Sequence, residues 1–196
     1  MEKLKSSLTN MVVVLVVVAV VTSGLLAVVN HVTEGPKAVK AEKTLADGIK
    51  KVMCTQDLTV TANDTITTQD EKGKDVKYIV YKVSDKAGKE LGAAVKSTTL
   101  GFGGDLEVLV GFNPEGTILG YTILKHAETP GLGAKADTWF QKGQKGDVIG
   151  KSPKDKPLTV SKDGGEIDAI TASTITSRAF LKAINNAYDV YKKGGK

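Results

Sequence analysis

The sequence predicts an α+β fold, in which one N-terminal transmembrane helix precedes a small antiparallel sheet flanked by helices. Three observations carry this expectation: an uncharged apolar run near the N-terminus, a series of short β-rich runs between Leu58 and Leu124, and a C-terminal segment with helical spacing of its apolar residues. Strands gathered in the middle with helices at both ends fit α+β better than alternating parallel units, and no internal repeat is visible.

From Met11 to Val29 the sequence MVVVLVVVAVVTSGLLAVV carries no charge. At about 1.5 Å per residue such a run crosses a hydrocarbon core of roughly 30 Å. Valine is a modest helix former in water, but in lipid every backbone amide must be bonded internally, which selects the helix. A cleaved signal peptide is the competing reading, with Lys3 and Lys5 ahead of the run and Ala27 near its end. Lys3 and Lys5 favour a cytoplasmic N-terminus, while Lys37, Lys40 and Lys43 on the other flank weaken that vote.

Beyond the span, Pro36 opens a stretch in which Val39, Leu45, Ile49 and Val52 recur at helical intervals, predicting a juxtamembrane amphipathic helix. Strands are expected at Leu58–Ala62 and Tyr78–Val83, with a charged turn at Asp70–Asp75 between them. A β-hairpin follows, Leu106–Phe112 and Thr117–Leu124 joined by the turn Asn113-Pro114-Glu115-Gly116. The stretch from Lys142 to Gly165 is rich in Lys, Gly, Pro and Asp and predicts exposed connections, interrupted by a short strand at Leu158-Thr159-Val160. The last helix is expected from Thr174 to about Lys193, with Phe180, Ile184, Ala187, Tyr188 and Tyr191 on one face and Lys192 and Lys193 complementing its C-terminal dipole.

Aromatic residues make up only 5% of the chain, which disfavours a single-strand nucleic-acid binder built on stacking platforms. The net charge of +5 comes from scattered lysines without a dense arginine block, so it reads as a solvated basic surface and not as a nucleic-acid interface. With Cys54 as its sole cysteine the chain alone builds neither a disulfide nor a cysteine-based metal cluster, and Cys54 reads as a small apolar residue, partly buried. Any redox role needs a borrowed cofactor.

The richest stretch runs from Asp168 to Ser177, DAITASTITS, with five hydroxyls in its last seven residues immediately ahead of the C-terminal helix. A hydroxyl there is accessible, and the free amides of a helix N-terminus hold phosphate. Asp168 is placed to orient or deprotonate a hydroxyl. Spacing alone equally allows an ordinary capping cluster in which Thr171, Ser173 or Thr174 caps the helix.

This stretch resembles the flavinylation motif of membrane flavoproteins, Asp-x-x-Ser/Thr-Gly-Ala-Thr followed by further Ser/Thr. Asp168, Thr171 and Thr174 match the Asp, the Ser/Thr and the acceptor, while Ala172 stands where Gly is usual and Ser173 where Ala is usual. The resemblance implies FMN esterified through its phosphate to Thr174, with Thr176 and Thr171 as alternative acceptors. A second stretch, His126-Ala127-Glu128-Thr129-Pro130-Gly131-Leu132-Gly133 with Trp139-Phe140 after it, resembles the signature of FMN-binding domains. Its physical sense is a Pro-Gly turn and glycines, Gly131 and Gly133, that admit close approach to a flat ligand. Read alone, it is a turn after a strand, and His126 is an ordinary histidine. The run Gly101-Phe102-Gly103-Gly104-Asp105 is a third resemblance, as a glycine bend beside the flavin.

Together with one N-terminal span, the motifs make the chain similar to the G subunits of Rnf ion-translocating electron-transport complexes. The C subunits of sodium-pumping NADH:quinone reductases share the motifs, and a non-redox membrane-anchored binding domain is the alternative outside redox chemistry. The resemblance implies residues 1–10 as a cytoplasmic tail, 11–29 as the transmembrane helix, 30–54 as the juxtamembrane helix and 55–196 as an FMN-binding domain. It places that domain on the extracytoplasmic (periplasmic) face of a bacterial cell membrane. It further implies that a separate magnesium-dependent flavin transferase attaches the FMN, and that the chain works in the bilayer with other Rnf subunits. Those complexes couple ferredoxin:NAD electron transfer to sodium or proton transport. Glu128, Thr129, Gly131, Leu132 and Gly133 from the second motif, and Ala172, Ser173 and Thr176 beside Thr174, are the residues expected around the flavin, with Asp168 and Thr171 completing the set.

Overall fold

A computed structural model describes residues 8–69 and 75–194. The expected turn Asp70–Asp75 lies outside them but for its last residue, and so does most of the expected 1–10 tail. The elements are helix α1 (Leu8–Val52), strands β1 (Thr59–Gln69), β2 (Asp75–Ser84), β3 (Glu90–Leu100), β4 (Asp105–Phe112) and β5 (Ile118–Lys125), a one-turn helix α2 (Ala136–Trp139), and helix α3 (Thr174–Gly194). Short 3-10 turns stand at Gly133–Lys135 and Ser161–Asp163.

The chain divides into two compact units, parted between Thr44 and Leu45. The first is helical, and its apolar window is long and apolar enough to cross a membrane, with mean hydropathy 3.1 and none of it buried by the protein. The sequence separates the span from a second helix opening at Pro36, whereas α1 is assigned as one helix with Pro36 in its interior, where the ring forgoes the bond to the carbonyl of Val32. Val39 is exposed, so of the stripe expected after Pro36 only Leu45, Ile49 and Val52 join a core.

In the second unit all five strands are antiparallel, in the order β1-β2-β3-β4-β5. Each strand pairs with its neighbour in sequence, so short turns suffice and no crossover is needed. Side chains alternate across the sheet. Tyr78 and Val80 of β2 and Leu106, Val108, Val110 and Phe112 of β4 join α3 in the larger core, while Tyr81, Val83 and Leu109 meet Ile49, Val52 and Met53 on the opposite face. Gly111 and Gly120 let the last turn of α1 lie directly on the sheet, since a Cβ at either would collide with the backbone of Val52.

Strand β3 is the element that sequence pattern does not reveal. Covered on both faces, its Gly92-Ala93-Ala94-Val95 run is continuously buried and shows no alternation. The segment after Lys142 carries more core than its polar composition predicts, because Val148 and Val160 are fully buried against the sheet and α3. The strand expected at Leu158–Val160 reduces to one bridge between Val160 and Ile167. Cys54, expected partly buried, is exposed and adopts φ 54° at the end of α1. The amides of Cys54 and Thr55 bond the carbonyls of Lys51 and Lys50, the Schellman pattern that normally recruits glycine.

Candidate functional site

Helix α3 begins at Thr174, and its position on the sheet is set by an aromatic stack. Phe180 lies flat against Phe140 with centroids 4.2 Å apart and meets the edge of Tyr121 at 4.7 Å. The Tyr121 hydroxyl donates to the Ala136 carbonyl at 2.7 Å and accepts from the Phe140 amide at 3.2 Å. Burial pushes its pKa well above the ordinary phenol value, so it stays a neutral donor. The expected apolar face of α3 is the buried one: Phe180, Ile184, Ala187 and Tyr188 are in the core, and Tyr191 packs at its margin.

The segment after β5 is folded back by a turn in which the Leu132 amide bonds the Thr129 carbonyl, with Pro130 and Gly131 at its centre. Gly131 has φ 77°, which at that turn position requires glycine, so the Pro-Gly expectation holds for a conformational reason. His126 serves the same bend: its Nδ1 accepts from the Glu128 amide at 3.2 Å.

Glu128 is where the three singled-out stretches meet. It is only 6% exposed. Its Oε1 accepts from the amides of Phe102 and Gly103 at 2.8 and 3.1 Å, and its Oε2 accepts from the Thr176 hydroxyl at 2.6 Å. A Cβ at Gly101 or Gly133 would collide with this carboxylate, and one at Gly103 with the Ala127 carbonyl. These glycines are therefore read best as clearance around Glu128. A second tie runs from the Trp139 indole N–H to the Asp168 carbonyl at 2.8 Å.

The five hydroxyls are not equivalent in the folded chain. Thr176 is fully buried and committed to Glu128. Ser177 is fully buried, accepting from the Ile170 amide at 2.9 Å and donating to the Ser173 carbonyl at 3.0 Å. Ser173 is half-buried, 3.5 Å from the Thr176 hydroxyl. Thr171 is exposed and does not line the adjoining cleft. Thr174, half-buried at the first position of α3, does line it, and its Oγ1 accepts from Lys162 Nζ at 3.3 Å. The Ser177 amide makes the first intrahelical bond, to the Ser173 carbonyl, so the amides of Thr174, Ile175 and Thr176 precede the ladder and are available to an anion. Ala172 has φ 60°, the left-handed conformation in which a Cβ costs about 1–2 kcal/mol, and this is the position where the resembled motif carries glycine.

The cleft has a volume of about 380 Å³ and is open to solvent. It is lined by Phe102 from the glycine-rich bend, by Glu128, Thr129 and Leu132, and by Ala172 to Thr176 at the start of α3. Phe102, Leu132 and Ile175 are 68%, 41% and 55% exposed, an apolar rim of the kind that a planar aromatic ligand would cover. Of the residues expected around the flavin, Gly131 and Gly133 shape the loop and do not line the cleft. Asp168 is exposed and does not line the cleft; its carboxylate accepts from the Ser161 hydroxyl at 3.3 Å and its backbone carbonyl from the Trp139 indole. Phe102, Ile175 and Lys162 escape the sequence-based set of site residues. A phenylalanine flanked by glycines in an aromatic-poor chain is a signal for the first, whereas nothing in sequence marks Lys162.

The FMN-binding domain family matches residues 101–189, which brackets the cleft. The chain is 34% identical to the G subunit of the ion-translocating oxidoreductase complex of Shewanella baltica, over 86% of this chain and 82% of that protein. It is also 34% identical to the G subunit of the Na(+)-translocating ferredoxin:NAD(+) oxidoreductase complex of Acetobacterium woodii, over 91% and 89%. The solved structure of Shewanella oneidensis NqrC superposes with a TM-score of 0.58 at 15% identity, covering 80% of this chain and all of that one, a likeness of fold. A buried glutamate joining three motifs beside an apolar-rimmed cleft thus sits inside a recognised flavin-binding region, and the chain belongs to the G subunits of ion-translocating oxidoreductase complexes, carrying their FMN-binding domain.

Proposed function

We propose that the chain is an electron-carrying subunit of a membrane complex that couples ferredoxin:NAD electron transfer to sodium or proton translocation, with FMN joined to Thr174 through a phosphodiester. The observation that carries this is Thr174 itself. Of the five hydroxyls it alone combines the first helical position, a place in the cleft wall and an oxygen not consumed by the fold.

The residues fit such a group. The three unbonded amides at the start of α3 suit a phosphate, and Phe102, Leu132 and Ile175 offer an apolar surface to a flat ring. Attachment would form a bond from the Thr174 oxygen to the FMN phosphorus of FAD, break the bond to AMP, and pass the hydroxyl proton to a base of a separate magnesium-dependent flavin transferase. Bound FMN would supply the redox chemistry. The chain supplies position: Glu128 holds the Phe102 loop against α3, and the buried Thr176 and Ser177 fix the turn from which Thr174 projects. In the membrane reading, residues 11–29 span the bilayer, 30–54 lead out of it, and 55–196 lie on the extracytoplasmic side with the other subunits.

The test is intact mass and in-gel ultraviolet fluorescence of the full chain made with a flavin transferase. The wild type should carry one FMN mapped to Thr174, and Thr174→Ala should be dark and unmodified. A dark wild type would favour a non-redox binding domain, and a fluorescent Thr174→Ala would move the attachment to another hydroxyl.

A further inference from the structure

The oxygen of Thr174 is within hydrogen-bond distance of a cation, and that cation is held from behind. Lys162 lies in the short turn Ser161–Asp163, and its Nζ donates to Thr174 Oγ1 at 3.3 Å. Asp163, the next residue, is gripped by Arg178 through two hydrogen bonds of 2.6 and 2.7 Å, one turn into α3 from Thr174. The other end of the turn is tied by the Ser161 amide to the Ile167 carbonyl at 2.8 Å, and by the Ser161 hydroxyl to Asp168. The backbone on either side of Lys162 is thereby fixed relative to the start of α3.

The charges are also sorted. Arg178 and Asp163 neutralise each other, whereas no carboxylate among the described residues pairs with Lys162. An unpaired ammonium directed at a hydroxyl opposes nothing in the unmodified chain except the partial positive end of the α3 dipole. The hydrogen bond to a neutral threonine is weakened by that dipole, and it becomes a stronger, charge-assisted contact once the oxygen bears negative charge.

We infer that Lys162 governs the reactivity of Thr174 as a flavin acceptor, stabilising the oxygen as its bond to phosphorus forms and then neutralising the phosphodiester. This rests on the reading of Thr174 as the acceptor and extends it to a residue outside the motif. During transfer the threonine O–H proton goes to the transferase, AMP leaves with the other phosphate of FAD, and Lys162 stays protonated throughout. One negative charge appears on the chain, and the lysine ammonium is already beside it. Asp163 and Arg178 act through Lys162 as positioning residues.

The experiment measures initial rates of FMN incorporation into the full chain in detergent, with purified transferase, FAD and magnesium, read as intact mass and in-gel fluorescence while the acceptor chain concentration is varied. A charge-assisted hydrogen bond to the reacting oxygen is worth on the order of tenfold in rate. Lys162→Gln should therefore lower the limiting rate by about that factor at an unchanged half-saturating acceptor concentration, and Lys162→Arg should recover most of it. Because Lys162 is exposed, neither variant removes core, and matched circular dichroism spectra confirm that the comparison is between folded chains. If wild type is modified on Thr174 but Lys162→Gln has the same limiting rate, or changes only the half-saturating concentration, the role of Lys162 is overturned and Thr174 stands. If wild type itself is not modified on Thr174, the acceptor reading falls and this inference falls with it.

Discussion

Replacing Glu128 separates its role as a structural junction from that of an ordinary loop acid. Its carboxylate accepts three hydrogen bonds, from Phe102 N–H, Gly103 N–H and the Thr176 hydroxyl, while the residue is only 6% exposed. Hydrogen bonds to a charged acceptor contribute about 1.5–3 kcal/mol each, and an orphaned buried donor costs about 1–3 kcal/mol. Glu128→Ala loses all three acceptor sites at once. The open cleft beside it lets water reach some of the abandoned donors, so the expected loss is about 3–4 kcal/mol and not the full sum. For a domain of this size that is a fall in Tm of roughly 6–16 °C.

Glu128→Gln should behave differently. Its oxygen can keep the two amides, and its NH2 group can face Thr176, whose hydroxyl turns from donor to acceptor. Only the charge assistance is lost, about 1 kcal/mol. The assay is thermal unfolding of the full chain in detergent followed by fluorescence of Trp139, the sole tryptophan, whose indole is bonded to the Asp168 carbonyl inside the same assembly. An alanine variant within about 0.5 kcal/mol of wild type, or a glutamine variant as damaged as the alanine, would refute the junction reasoning.

Two further outcomes are expected. Ala172→Gly relieves the left-handed backbone at φ 60° but adds chain entropy to the unfolded state, so a net gain of about 0.5–1 kcal/mol should appear as a Tm raised by roughly 1–4 °C, and an unchanged or lowered Tm would count against strain at that position. The hydrogen bonds from Arg178, and then its charge, hold the Asp163 carboxyl below its ordinary value of 3.8. A depressed folded-state pKa means that this pair stabilises above the ordinary carboxylate range and stops doing so as pH falls through the lowered value. The Tm gap between wild type and Asp163→Asn should accordingly narrow as pH falls below the ordinary carboxylate value of 3.8, and a gap that persists undiminished in strong acid would show that the pair is not its source.

What the sequence reveals follows from how each element is solvated. The hairpin of β4 and β5 and the amphipathic α3 announce themselves because their turn residues or one-sided burial impose a period. Strand β3 is silent because both faces are covered, and β1 outruns its predicted end because its further residues, Asn63 to Gln69, are a polar edge strand paired along its length with β2. The glycines near Glu128 are legible as glycines but not as to purpose. A resemblance ties them to a flat ligand, whereas the geometry has Gly101 and Gly133 making room for a buried carboxylate.

The hydroxyl cluster shows the same limit more sharply, because in sequence its members differ only by position. Helix geometry and burial break that equivalence. A residue at the first position of α3 has no preceding turn to cover it, while the residues two and three further on, Thr176 and Ser177, rotate under the helix, where a hydroxyl persists only if its bonds are met internally. Thr176 and Ser177 therefore become parts of the scaffold, and their side chains brace the turn that leaves Thr174 facing the cleft. Had the helix begun one residue later, the periodicity that buries Phe180 and Ile184 would have kept Thr176 and Ser177 inside, but Thr174 would have lost its helical backbone. The start of α3 thus couples core packing to acceptor geometry, so a core substitution such as Phe180→Ala should disturb the Thr174 environment without touching it.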